Sequence, residues 1–109
     1  MIQVTIERAN NRIISFEMSG HANSGPYGYD LVCAGASAVS IGMLNAVMEL
    51  CDVDLQIEQG KGGGYLHVRI PEPLHPETSE KVQLLFEGMI ISLKSIELEY
   101  GQFIKITNK

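Results

Sequence analysis

Five short stretches of this chain place apolar residues at every second position, and two long stretches repeat them with helical spacing. Residues 2–8 set Ile2, Val4 and Ile6 against Gln3, Thr5 and Glu7, and residues 12–18 continue with Ile14, Phe16 and Met18. Asn10-Asn11 separates them, and asparagine tolerates the positive φ of a tight turn, so the spacing predicts a hairpin. Residues 53–58 (Val53, Leu55, Ile57) and 65–70 (Leu66, Val68, Ile70) form a second pair. Lys61-Gly62-Gly63-Gly64 joins them and reads as a flexible hairpin turn. Residues 102–107 (Phe103, Ile104, Ile106) make a last strand.

The first helix is predicted from Asp30 to about Leu50, with Asp30 as its N-cap. Val32, Val39, Met43, Ala46, Val47 and Leu50 recur along it, and its first half is rich in small residues. Pro71, Pro73 and Pro76 then break the chain. A second amphipathic helix follows over 77–98, with Val82, Leu85, Phe86, Met89, Leu93 and Ile96 on one face. The order is β-β-α-β-β-α-β, an α+β two-layer sandwich. Its last six elements form a ferredoxin-like split βαβ unit, preceded by an extra N-terminal strand. The 109 residues suffice for one core, so residues 1–109 form a single domain.

Charge and cysteine usage narrow the function. Thirteen acidic residues against eight basic ones give a net charge of −5, and the basic residues are scattered. Direct nucleic-acid binding is therefore not expected. Cys33 and Cys51 fall on one predicted helix, about 27 Å apart at about 1.5 Å per residue. A disulfide needs Cα atoms within about 7 Å, so free thiols and a reduced, cytoplasmic setting are expected. No charged segment followed by an apolar run opens the chain, so no signal peptide is expected. Asn45, Glu49 and Glu87 interrupt the apolar stretches, so no membrane span is expected either. His67 and His75 lack ligand spacing with each other or with the cysteines; neither a metal site nor a cofactor is expected. Gly60-Lys61-Gly62-Gly63-Gly64 leads into a strand, which argues against a phosphate loop.

Between the second strand and the first helix lies a Gly-rich loop of a kind often tied to function. His21 opens it, and Cys33 follows it at the third helical position after the Asp30 cap. Free amide N–H groups and the positive end of the helix dipole cluster there, and that environment lowers a thiol's pKa. The strand end should sit beside the helix start, which lets His21 act as a base toward Cys33. Two roles are open to Asp30: helix cap, or third member orienting His21. Ser37, one turn after Cys33, either lines the site or bonds to its own backbone.

The run Gly20-His21-Ala22, Gly28, Asp30-Leu31-Val32-Cys33-Ala34 and Ser37 closely resembles the bacterial ribosomal-processing cysteine protease family (Prp). The resemblance spans essentially the whole chain. It implies a homodimeric cysteine endopeptidase that removes a short N-terminal extension from a large-subunit ribosomal protein precursor. Cys33 would be the nucleophile and His21 the base, with an aromatic residue before the cut. Substrate is expected to meet Ala22, Gly25, Gly28, Ala34 and Ser37, beneath a 22–29 loop that orders on binding. The N–H groups of Cys33 and Ala34 are expected to hold the oxyanion. A dimer is also expected from an open sheet face carrying Ile and Val. The competing class is a non-catalytic ribosome-assembly adaptor that binds a basic peptide.

Overall fold

We describe the fold from a computed structural model, in which residues 1–22, 25, 30–60 and 63–109 are described. Strand β1 (Ile2–Ala9) turns into β2 (Arg12–Ser19) through Asn10 and Asn11, at φ 52° and 65°. Helix α1 (Leu31–Cys51) follows, then β3 (Gln56–Gln59), β4 (Tyr65–Arg69), α2 (Pro76–Tyr100) and β5 (Ile104–Asn108). The element order is as the sequence predicts. Val53 and Leu55 are buried but precede β3, which is shorter than its alternation suggests.

The five strands make one sheet in the order β3-β4-β2-β1-β5. All neighbours are antiparallel except β1 and β5, which are parallel. The additional N-terminal strand is therefore internal: β1 lies between β2 and β5. Its Ile2, Val4 and Ile6 are each at most 2% exposed, as suits a strand paired on both sides.

Alternation sends Ile2, Val4, Ile6, Phe16, Leu66, Val68 and Ile104 into one core with both helices. From α2 come Val82, Phe86, Met89, Ile90 and Leu93. From α1 come Val32, Ala36, Ser40, Leu44 and Val47, a line of small and medium residues partly different from the face read from sequence. Leu50, expected inward, is 75% exposed. Apolar residues surround α1, so spacing alone does not single out its buried face. By length and composition α1 would also pass for a membrane span. Asn45 and Glu49 thus do not exclude that by themselves, but here its buried line packs into the sheet's core.

The opposite sheet face does not carry the Ile and Val expected there. Register places Thr5, Glu17, His67 and Glu58 side by side, with Glu7, Ser15, Arg69 and Gln56 in the next row. The Ser15 hydroxyl donates to Glu7 at 2.9 Å and Tyr65 OH to Glu17 at 3.1 Å. This face is polar because every outward position of the alternation holds a polar side chain.

Candidate active site

The site is built where β2 ends. Gly20 has φ +89°, and a Cβ there would lie 2.4 Å from the Met1 carbonyl oxygen, so only glycine fits. Its N–H donates to the Gly64 carbonyl at 2.8 Å, tying the end of β2 to the turn before β4. The chain then delivers His21, exposed, and Ala22, buried, to the start of α1.

Asp30 caps that helix as its sequence position predicts. Its carboxylate accepts the Cys33 N–H at 3.0 Å, and its carbonyl accepts the Ala34 N–H at 3.0 Å. Cys33 is half-buried, and its Sγ accepts the Ala22 N–H at 3.2 Å. The strand end and helix start therefore meet at the sulfur. Among the described residues no hydrogen bond joins His21 to the thiol. The imidazole instead lies against Gly64, where a Cβ would come within 2.7 Å of Nε2.

Two expectations about this chemistry need correction. Burial pushes the Cys33 thiol above its ordinary value; the Ala22 N–H opposes this, and Asp30 reinforces the rise through hydrogen bond and charge. The helix start does not by itself yield a standing thiolate. The N–H groups of Cys33 and Ala34 are already committed to Asp30, so neither is waiting for an oxyanion. The Ala22 N–H is the described backbone donor at the sulfur.

One cleft of about 630 Å³ gathers His21, Gly25, Asp30, Cys33, Ala34 and Ser37. Of the other residues expected at the site, Ala22 contributes its N–H, and Gly28 lies outside the described residues, as does most of the 22–29 loop. The sequence reading missed the rest of the lining. Ile2, Met18, Ile41 and Leu66 give it an apolar wall, and Gln59, Gly64 and Tyr65 bring in the second hairpin. The one sequence signal for that hairpin was its glycine run, which reads equally well as a plain turn. Among the described residues, no group of three His, Cys, Asp or Glu side chains could hold a metal.

Comparison with known proteins places this arrangement. The family model for cysteine protease Prp matches residues 1–105. A ribosomal processing cysteine protease Prp of Bacillus subtilis is 48% identical over 108 residues, covering 98% of this chain and 96% of that protein. The protein of the same name from Staphylococcus aureus is 39% identical over 92 residues, covering 84% of this chain and 83% of its own length. A crystal structure of the essential ribosomal processing protease Prp from S. aureus with a covalently linked product peptide superposes with TM-score 0.92 at 37% identity, covering 100% of both chains. A second structure of the S. aureus protease, with a substrate peptide, gives TM-score 0.85 at 35% identity, again over 100% of both chains. The match runs over essentially the whole chain, and on it the chain belongs to the Prp family of cysteine proteases.

Proposed function

We propose that this protease removes a short N-terminal extension from a large-subunit ribosomal protein precursor, with Cys33 as nucleophile and His21 as base. One observation carries the assignment. The half-buried thiol at the capped start of α1 shares a cleft with the exposed imidazole. The relatives are named ribosomal processing proteases, which favours cleavage over binding alone. The covalent product peptide on the S. aureus protease fits a covalent route.

Burial and Asp30 raise the Cys33 thiol above its ordinary value, so attack on the carbonyl needs a base to take its proton. His21 takes the Cys33 proton as Sγ attacks the scissile carbonyl. Negative charge leaves sulfur for the carbonyl oxygen, and the Ala22 N–H follows it from one to the other. His21 then protonates the leaving amine. Water, deprotonated by His21, releases the acyl group. Gly25, Ala34 and Ser37 line the path of the peptide, and the apolar wall of the cleft suits an aromatic side chain before the cut.

The exposed row Leu84, Ile91 and Leu98 supports a homodimer better than the polar sheet face does. These residues are 72%, 66% and 87% exposed and recur every seventh position along α2. Sedimentation at micromolar concentration should give a dimer that Ile91→Glu dissociates. Two free thiols suit a reducing cytoplasm. The central test incubates the ribosomal protein precursor with wild type and with Cys33→Ala. Wild type should shorten the precursor and the variant should not; equal cleavage by both refutes the assignment.

A further inference from the structure

The turn between β3 and β4 contains two adjacent glycines with nearly the same positive φ, Gly63 at +82° and Gly64 at +81°. A positive φ of this size disfavours an L side chain at either position. Their surroundings differ. Among the described residues, a Cβ on Gly63 would meet nothing within 4 Å. A Cβ on Gly64 would lie 2.7 Å from His21 Nε2, 3.3 Å from Cε1 and 3.4 Å from Cδ2.

Such a clash has to be relieved by whichever part can move. The Gly64 backbone is held by the Gly20 N–H at 2.8 Å. Gly20 is itself pressed against the Met1 carbonyl, where even a Cβ would sit at 2.4 Å. The exposed imidazole is the compliant partner. A side chain at 64 would therefore leave the backbone in place and drive the ring from its position in the cleft that it shares with Cys33.

We propose that Gly64 is a positioning residue for His21: its bare Cα forms the seat that sets where the imidazole stands in the cleft. This rests on His21 being the base. The second hairpin thus belongs to the catalytic apparatus through shape alone. The Gly20–Gly64 bond closes the arrangement, because the residue that precedes His21 and the residue its ring rests on are tied together.

The test compares the pH dependence of kcat/KM for precursor cleavage in wild type, His21→Ala, Gly64→Ala and Gly63→Ala, with circular dichroism as a check on folding. A working base makes the wild-type profile level off once the imidazole is neutral. His21→Ala and Gly64→Ala should fall about a hundredfold at neutral pH and keep rising toward alkaline pH, where the thiol ionises unaided. Gly63→Ala shares the positive φ without the clash on the ring and should keep the wild-type shape, whatever its amplitude. A Gly64→Ala profile of wild-type shape overturns the proposal, as does an equal change of shape in both glycine variants. If His21→Ala itself keeps the wild-type profile, the base assignment fails, and the seat with it. Should Gly64→Ala not fold, a nuclear Overhauser contact between the Gly64 Hα and His21 ring protons of wild type decides the matter, and its absence overturns the proposal.

Discussion

Where β1 turns into β2, side chains hold the backbone. Gln83 on α2 accepts the Ile13 N–H and donates to the Ile13 carbonyl, both at 2.8 Å. Ile13 lies beside a register shift between Glu7 and Arg8, so the amide of Gln83 supplies bonds where the ladder is irregular. Arg8 forks onto Glu87 at 2.7 and 2.8 Å, and Arg12 reaches Ser79. At the other end of β2 the ties come from backbone donors: Gly20 to Gly64, and Ala22 to the Cys33 sulfur. Each end also contains positive-φ turn residues. Asparagines fill them at the first turn, whereas at the second, glycine leaves room for an imidazole. One end is closed by side chains that stabilise, and the other is kept open by the lack of them.

That contrast predicts a separation of effects. His21→Ala should lower kcat/KM by about 10²–10⁴-fold with little change in thermal midpoint, since the ring is exposed. Steady-state cleavage alongside melting would show it. Gln83→Ala should do the reverse. It leaves the Ile13 N–H and carbonyl without their partner, costing about 1–3 kcal/mol, while the folded enzyme cleaves as before. A loss of kcat in Gln83→Ala beyond its unfolded fraction would break the comparison.

Asp30→Ala tests the boundary between the two kinds of effect. Losing the cap should cost about 1 kcal/mol, and Asp30→Asn should restore most of it. Removing the carboxylate also lowers the Cys33 pKa, so iodoacetamide should label Asp30→Ala faster than wild type at pH 8. The smallest effect concerns Arg8 and Glu87. The guanidinium holds the Glu87 carboxyl below its ordinary value of 4.5. The folded pKa is the lower one, so the pair's contribution is full above the unfolded value and is lost as pH falls through the folded value. Its side chains are 29% and 41% exposed, so Arg8→Ala should cost less than about 1 kcal/mol near neutrality and flatten acid unfolding accordingly.

Much of this is legible in the sequence. Period-two alternation locates β1, β2 and β4 within about a residue, because core-facing apolar positions alternate with polar ones on the opposite face. The Asp30 cap was legible because a short acceptor just before an apolar helical run satisfies a free N–H of that helix. Harder to read was α1, whose abundant alanine, glycine and serine let several faces pack; Ser40 is fully buried against the core although nothing local marks it. Hardest was the role of the second turn, since its contact with His21 joins residues more than forty positions apart.

The sequence by itself determined the order of the elements, the capped start of α1 and the pairing of Cys33 with His21 as a candidate dyad, because these depend on local torsions, local hydrogen bonds and a recognisable motif. Tertiary structure decided that the N-terminal strand lies inside the sheet between β2 and β5, that the outer sheet face is polar, and that burial and Asp30 raise the Cys33 thiol above its ordinary value. It also decided that the second hairpin reaches the site. Strand neighbours, desolvation and the space available beside a ring arise only when distant segments pack together, and no local pattern encodes them.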